Sequence, residues 1–275
     1  MSLADHLDHA YGAICQLQIP VRELLGKAVE TASNHFSPAE EVKEAPGIVR
    51  RTLADELRVV SWNIYEARHE REVKDHLKRI RNDYDPHVIM LQEAPAHFIQ
   101  DDQFDALHRA YAPAAWYTDG RTKGNLTLSQ VPIAEARALD LPIASWKYHE
   151  HQTIRRNALY TRIDGLGIWN THLEFHCTPT RRAEQMRQVL ERDLDEITVI
   201  GADANTLFAK FGRKYEPVLE LVNEYGFIDP MANERRPFPQ TDYIFIGGAE
   251  GSAMILDMPR GISDHKPILG TIKLD

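Results

Sequence analysis

The chain has 275 residues, 43% of them hydrophobic and 27% charged, which is the composition of a globular protein able to bury a large core. Its formal net charge of −9 means that affinity for a polyanion must come from a local patch rather than from the whole surface. The chain has two cysteines, no long apolar run and no secretory signal at its first residues, so we expect a cytoplasmic enzyme rather than a fibrous, disulfide-rich or membrane-spanning protein.

The N-terminal segment differs from the rest of the chain. Apolar residues recur at helical spacing within 6–31, where Pro20 interrupts the pattern. We therefore predict a helical extension over residues 1–55 and a catalytic domain over residues 56–275. The simplest interpretation is that the extension packs on the main domain, and the alternative is a lid or a partner-binding segment.

From Leu57 onward, short apolar segments alternate with loops and a few helical patterns. Strands are predicted at Arg58–Asn63, Val88–Gln92, Leu126–Ser129, Ala158–Ile163, Ile168–Leu173, Thr198–Ala202, Tyr243–Ile246, Ala253–Leu256 and Ile268–Lys273. Helices are predicted at Arg71–Asn82, Thr180–Asp193 and Tyr215–Tyr225, the second of them capped by Thr178 with Pro179 in its first turn. Many strands with few interspersed helices favour an α+β fold, in which two packed sheets are covered by helices.

Polar side chains stand at the ends of most of these strands. They are Asn63, Glu93, His172, Asp203, Asn205, Asp242, Asp264 and His265. Taken singly, each is most often a solvated turn residue, because Asn and Asp commonly make turns with their own backbone. Their number, on the ends of separate apolar strands, favours a catalytic group drawn from several elements of one rigid scaffold.

Local spacing and ligand chemistry narrow the possible activity. Asp203 and Asn205 are two residues apart, so in an extended segment they project to the same side. Asp264 and His265 are adjacent and converge only in a loop or at a strand end, which Pro267 favours. Carboxylate and amide oxygens without a thiolate cluster suit Mg²⁺ or Mn²⁺, and with imidazoles nearby they indicate hydrolysis of a phosphate ester.

The order of these motifs resembles the endonuclease/exonuclease/phosphatase superfamily, over roughly four fifths of the chain. The motifs are Ser-Trp-Asn-Ile (61–64), Leu-Gln-Glu (91–93), Asn-Thr-His-Leu-Glu (170–174), Gly-Ala-Asp-Ala-Asn-Thr (201–206), Asp-Tyr-Ile-Phe (242–245) and Ser-Asp-His (263–265). The segments 124–129 and 156–159 also look like intervening strands of this family. The resemblance implies a four-layer α/β sandwich, with two packed, mostly antiparallel sheets flanked by helices and the site at one edge.

The resemblance also implies which residues bind metal. Glu93 would be the main ligand of Mg²⁺ or Mn²⁺, with Asn63 and Asp264 nearby. Repair nucleases of the family usually carry Asp two residues after the motif asparagine, where this chain has Tyr65. This departure argues against a second metal ligand at that position and weakens the interpretation as a repair nuclease.

Five further residues would carry the reaction, by the same resemblance. His265, oriented by Asp242, would act as a base or stabilise the phosphate, while Asp203 and Asn205 would align water and phosphate. His172 stands where relatives use His or Tyr against a phosphate oxygen or the leaving group. The segment Gly-Ala-Asp-Ala-Asn (201–205) differs from the usual Gly-Asp-Phe-Asn by one extra residue, but it keeps the Asp–Asn spacing. The sequence leaves open which residue is the base.

Arginines are densest on the segments that flank the His172 strand. They are Arg155, Arg156, Arg181, Arg182 and Arg187. One interpretation is a solvated helix face paired with acidic neighbours. The other is a rim that binds the substrate phosphate, with Arg156 and Arg181 as the candidates, because a guanidinium recognises phosphate through two parallel hydrogen bonds.

The sequence therefore predicts a divalent-metal-dependent phosphoesterase, a phosphodiesterase or nuclease that works by metal-assisted attack of water. Its partner would be a phosphate-ester substrate, with nucleic acid among the candidates, although no basic tract interleaved with aromatics marks a nucleic-acid track. A lipid-headgroup, nucleotide or inositol-type phosphoesterase is the alternative. A non-catalytic phosphate-binding protein on the same fold is a third, from another functional class.

Overall fold

The computed structural model describes residues 42–45, 47, 53–142, 152–192, 194–206, 216–232 and 241–274. Residues Val42–Asp275 form one compact unit. The helical extension predicted for residues 1–55 lies almost wholly outside the described residues and stays a prediction. None of the described helices combines the length and the apolar character needed to cross a bilayer.

The described residues form strands β1 to β13 and helices α1 to α3. The strands are β1 (Lys43–Ala45), β2 (Glu56–Asn63), β3 (Val88–Pro95), β4 (His108–Tyr117), β5 (Thr122–Ser129), β6 (Ile133–Asp140), β7 (Gln152–Ile154), β8 (Asn157–Ile163), β9 (Leu166–His172), β10 (Thr198–Asp203), β11 (Asp242–Gly247), β12 (Gly251–Ile255) and β13 (Ile268–Lys273). The α-helices are α1 (Glu70–Tyr84), α2 (Pro179–Leu190) and α3 (Pro217–Glu224), and short 3₁₀ turns lie at Tyr65–Ala67, Ala96–Gln100 and Asp102–Phe104. All nine predicted strands and all three predicted helices are confirmed, with small shifts at their ends.

The strands form two sheets. The large sheet has the order β1-β4-β5-β3-β2-β13-β12, with β7 also paired to β4, and the small sheet has the order β11-β10-β9-β8-β6. Two neighbouring pairs are parallel, β2 with β3 and β9 with β10, and the other pairs are antiparallel. The expectation of two mostly antiparallel sheets is therefore confirmed.

Four apolar clusters hold the four layers together, and the smallest contains Ala110 and Ala112 of β4 and Leu159 of β8. Successive residues of a strand point to opposite faces, so Val59 packs between the sheets while Val60 packs with α1 on the outer face of the large sheet. Helix α1 contributes a stripe of Val73, Leu77 and Ile80, and burying one such side chain stabilises the fold by ~1.5–3 kcal/mol. Helices α2 and α3 cover the outer face of the small sheet in a third cluster. The result is the expected α/β sandwich with helices on both outer faces.

Sequence patterns missed four strands, the two longest of which are β4 and β6. Strand β4 carries Pro113 beside a register shift, and proline removes a ladder hydrogen bond. Strand β6 lies at the edge of the small sheet and mixes alanines with charged residues, so it lacks the β-branched residues that mark a strand. The other two, β1 and β7, are three residues long.

Candidate active site

Strand register and one loop bring four of the predicted residues together. The last residue of β10, Asp203, is paired with His172 at the end of parallel β9 and with Asp242 at the start of antiparallel β11. The loop before β13 adds His265, whose Nδ1 lies 2.7 Å from Oδ2 of Asp242. Because parallel neighbours end at the same sheet edge, these side chains need no unusual backbone to meet. We call His172, Asp203, Asp242 and His265 the histidine cluster.

Asp203 is the centre of the histidine cluster. Its Oδ2 accepts a 2.8 Å hydrogen bond from the Asn63 amide, and its Oδ1 accepts hydrogen bonds from the Thr241 hydroxyl and the Asn205 backbone N–H. The same Oδ2 lies 3.3 Å from Nε2 of His172 and 3.8 Å from Nε2 of His265. Burial alone would raise the pKa of Asp203, but the two histidines and the hydrogen bonds lower it, so this side chain is a carboxylate.

Asp242 orients His265 and keeps it charged. Asp242 is fully buried, and burial raises its pKa to about 6. Burial would lower the pKa of His265, but the charges of Asp242 and Asp203 raise it to about 11. The His265 backbone is held by the Ser263 hydroxyl, which accepts from its N–H, and by the Trp62 indole, which donates to its carbonyl. His265 is therefore an imidazolium facing the Asp203 carboxylate.

His172 lies between Asp203 and Glu93. Its Nδ1 is 3.7 Å from Oε1 of Glu93. Burial lowers the pKa of His172 well below its usual value, and the positive charge of Arg156 lowers it further, against the attraction of Asp203. The pKa values of the two histidines are thus shifted in opposite directions, downward for His172 and upward for His265.

Glu93 is placed by an irregularity of β3. The pairing of β3 with β5 shifts register between Leu91 and Ala94, and Glu93 has a positive φ of 56°. The preceding residue, Gln92, anchors this strand end to the small sheet, because its amide donates a 2.8 Å hydrogen bond to Asn170. The bulge turns the Glu93 carboxylate toward His172 and toward the Lys123 ammonium, 3.1 Å away.

The other two predicted residues, Asn205 and Asp264, differ in position. Asn205 is buried with φ at 52°, and its amide donates to the carbonyl of Leu173, which fixes the chain after β9. Asp264 has a half-exposed side chain at the rim, and its Oδ1 lies 3.8 Å from Nε2 of His265. Asn205 therefore supports the base of the site, and Asp264 borders its opening.

The arginines of the basic region have different roles. Arg156 is largely buried and pairs with Glu174 at 3.3 Å, close enough to His172 to lower the pKa of that histidine. Arg181 lies in the first turn of α2, where its backbone N–H is capped by Thr178, and no described contact joins its guanidinium to the histidine cluster.

Arg182 fits neither interpretation of the basic region. It is fully buried, its guanidinium pairs with Glu216 at 3.2 Å, and it donates to the backbone carbonyl of Glu174. Arg182 is thus a structural link between α2 and the segment that follows β9. Sequence reasoning missed this role because nothing in the motif distinguishes it from Arg181.

Sequence reasoning also missed Lys123 and Glu66 beside the cluster. The Lys123 ammonium lies 2.7 Å from Oε1 of Glu66 and 3.1 Å from Oε1 of Glu93. Both Lys123 and Glu66 line a cleft of about 690 Å³, together with Tyr117, Arg121 and other residues. The only sequence signal was position, since Lys123 directly precedes the strand segment at 124–129 and Glu66 follows Tyr65.

Two sets of residues could hold a divalent cation. Ligand atoms of Asp203, Asp242 and His265 lie within 4.8 Å of one another. In that set, however, Oδ2 of Asp242 is already hydrogen-bonded to His265. Glu93 offers a carboxylate that already faces a cation, the Lys123 ammonium, and Asn63 and Asp264, predicted with it from the sequence, would also offer oxygen ligands. Hard oxygen donors of this kind fit Mg²⁺ or Mn²⁺.

Comparison with solved structures shows the same fold. The chain is similar to an endonuclease/exonuclease/phosphatase from Beutenbergia cavernae, with 17% identity, a TM-score of 0.65, and coverage of 80% of this chain and 72% of that one. It is also similar to the human Nocturnin catalytic domain with bound sulfate anion, with 15% identity, a TM-score of 0.59, and coverage of 87% and 100%. A mannosyl-6-phosphatase from Bacteroides thetaiotaomicron gives 15% identity, a TM-score of 0.54, and coverage of 78% and 99%.

Sequence comparison identifies the family. No curated protein matches the chain significantly. The model of the endonuclease/exonuclease/phosphatase family matches residues 60–265, which span the strand-end residues from Asn63 to His265. The chain therefore belongs to the endonuclease/exonuclease/phosphatase family.

Proposed function

We propose that this protein is a divalent-metal-dependent phosphoesterase that hydrolyses phosphodiesters. The observation that carries this proposal is the surroundings of Asp203, a buried carboxylate that faces two histidines and the amide of Asn63. Burying these four polar groups in mutual contact costs free energy, and a fold that needed only stability would fill the same space with apolar side chains.

In this proposal the metal lies at Glu93, with Asn63 and Asp264 as further ligands. Mg²⁺ or Mn²⁺ bound there would neutralise the negative charge that develops on the phosphoryl oxygens. The alternative set of Asp203, Asp242 and His265 is less suitable, because a cation there would have to break the 2.7 Å hydrogen bond between Asp242 and His265. It would also place a second positive charge beside the imidazolium.

The chain's own residues then have distinct tasks. The Asp203 carboxylate aims a water molecule at phosphorus and accepts its proton as the new P–O bond forms, and the leaving oxygen takes up a proton as the old P–O bond breaks. The His265 imidazolium donates a hydrogen bond to a phosphoryl oxygen, and Asp242 maintains its charge. His172 contacts a phosphate oxygen or the leaving group, and Arg156, paired with Glu174, lies close to it. Proton transfer by a positioned side chain accelerates such reactions by ~10²–10⁴-fold.

The family and the charged residues around the site support a phosphate ester as the substrate. Nuclease action on nucleic acid is the first candidate, and a lipid-headgroup, nucleotide or inositol-type phosphate ester is the second. The similar proteins named above include one mannosyl-6-phosphatase, so phosphomonoesters belong in the same test. The net charge of −9 favours a small or locally bound substrate over a long polyanion held by the whole surface.

A panel assay tests the proposal. Metal-stripped protein is given Mg²⁺ or Mn²⁺ and then an aryl phosphodiester, an aryl phosphomonoester, single-stranded DNA or double-stranded DNA, with Glu93→Ala measured in parallel. We expect metal-dependent cleavage of the diester or of DNA, and its loss in Glu93→Ala. Cleavage that persists in the folded variant at the wild-type rate would refute the assignment of Glu93. Turnover of the monoester alone would replace the phosphodiester class with a phosphomonoester class.

A further inference from the structure

A lysine lies between two carboxylates beside the proposed metal ligand. The ammonium of Lys123 is 2.7 Å from Oε1 of Glu66 and 3.1 Å from Oε1 of Glu93. Only 12% of the Lys123 side chain is exposed, and both carboxylates are largely covered as well. Because these groups are partly removed from water, their charges interact more strongly than in an exposed ion pair.

The backbone around Glu66 is shaped to make this contact. Tyr65, Glu66 and Ala67 all have positive φ, at 50°, 58° and 48°, which is costly for residues other than glycine. The Tyr117 hydroxyl donates a 2.6 Å hydrogen bond to the same Glu66 oxygen that Lys123 contacts. Burial would raise the pKa of Glu66, but Lys123 and Tyr117 lower it, so Glu66 is ionised.

Two carboxylates that converge on one point form a common binding arrangement for a divalent cation. Here that point is filled by an ammonium that belongs to the chain. An ammonium carries three N–H donors, so Lys123 has one donor left for an oxygen of a ligand after it faces Glu66 and Glu93. Lys123 also lines the cleft of about 690 Å³, from which such a ligand could approach.

We propose that Lys123 is a fixed second cation of the active site: it takes the place between Glu66 and Glu93 that a second metal would fill, limits the protein to one divalent cation, and binds a phosphate oxygen of the substrate. The inference rests on the proposed function, because it assumes that the single metal binds at Glu93. It also assigns Glu66 a role as the counter-charge that holds the ammonium in position.

The test is Mn²⁺ binding without substrate, measured by electron paramagnetic resonance and calorimetry on the full chain. We expect one Mn²⁺ per wild-type chain. Lys123→Met leaves two adjacent carboxylates without a counter-charge, so it should bind a second Mn²⁺ or bind the first at least ~10-fold more tightly. Lys123→Arg, which keeps the charge, should bind one Mn²⁺ as the wild type does, and the double variant Lys123→Met/Glu66→Gln should return to one.

Lys273 provides a control, because its ammonium pairs with a single carboxylate, that of Glu250, 2.9 Å away. Lys273→Met should leave Mn²⁺ binding unchanged. Two Mn²⁺ ions in the wild type, or unchanged binding in a folded Lys123→Met protein, would overturn this inference alone. A wild type that binds no Mn²⁺ would overturn the proposed function and this inference with it.

Discussion

The two sides of the active site are built in different ways. The histidine cluster comes from regular strand ends, where the register of β9, β10 and β11 alone aligns His172, Asp203 and Asp242. The opposite side, which we call the lysine side, comprises Glu66, Glu93 and Lys123 and depends on a β-bulge and a left-handed turn. Regular strand ends therefore position the side chains of the histidine cluster. Irregular backbone positions the charged groups of the lysine side.

Asp203→Asn is the variant with the largest expected effect on the histidine cluster. It removes the charge that both histidines face while keeping a similar shape, so we expect turnover to fall by ~10²–10⁴-fold. Steady-state hydrolysis of an aryl phosphodiester measures this. Asp195→Asn is the matched control, since Asp195 bonds Tyr160 away from the site, and it should retain wild-type turnover. Equal turnover in the two folded variants would contradict the role of Asp203.

Asp242→Asn tests how the charge of His265 is maintained. The carboxylates of Asp242 and Asp203 together raise the pKa of His265 to about 11, so replacing Asp242 alone should lower that pKa. We expect His265 to stay protonated across pH 5–9 in the wild type and to titrate within that range in the variant, with turnover reduced by ~10-fold or more. Side-chain ¹⁵N NMR of the histidines follows this directly. A wild-type His265 that titrates near neutral pH would contradict the ion pair.

The opposite pKa shifts of the two histidines predict a maximum of stability with pH in the metal-free protein. The lowered pKa of His172 gives stability that is present above its unfolded value near 6.5 and is lost as pH falls below it. The raised pKa of His265 gives stability that is present below ~6.5 and is lost as pH rises toward 11. Each proton that only one of the folded and unfolded states binds changes the free energy of unfolding by at most ~1.4 kcal/mol per pH unit.

Melting temperatures between pH 5 and 10 test this prediction. His172→Gln should flatten the acidic limb of the stability curve, and His265→Gln should flatten the alkaline limb. If both variants flattened the same limb, the pKa values of the two histidines would be shifted in the same direction, which would contradict the prediction.

Tyr117→Phe should have the smallest effect and addresses the lysine side. It removes the 2.6 Å hydrogen bond to Glu66 but leaves Lys123 in place, so we expect a loss of ~1–3 kcal/mol in the free energy of unfolding. Denaturant unfolding measures it. Tyr225→Phe, at a half-exposed tyrosine with a 3.4 Å hydrogen bond, is the matched control and should cost less. Equal costs would mean that the Tyr117 contact does not hold the turn.

The sequence was informative where the structure is regular. Short apolar segments ending in Asn63, His172 and Asp203 predicted the strands, and the resemblance to the family implied that the site lies at one edge of the sheets. The sequence did not indicate the role of Lys123, because its partner Glu66 is 57 residues away. Glu66 also has a positive φ, which no local sequence pattern predicts. Contacts that depend on a bulge or on positive φ at ordinary residues need the folded chain.

Hydrolysis of an aryl phosphodiester in ¹⁸O-labelled water tests the central claim most directly. Metal-stripped protein is assayed with and without Mn²⁺, and the products are analysed by mass spectrometry. We predict that ¹⁸O enters the phosphate-containing product and that the reaction requires Mn²⁺, as expected for water directed at phosphorus by Asp203. Absence of hydrolysis with metal bound, or ¹⁸O in the released phenol, would contradict this account of the site.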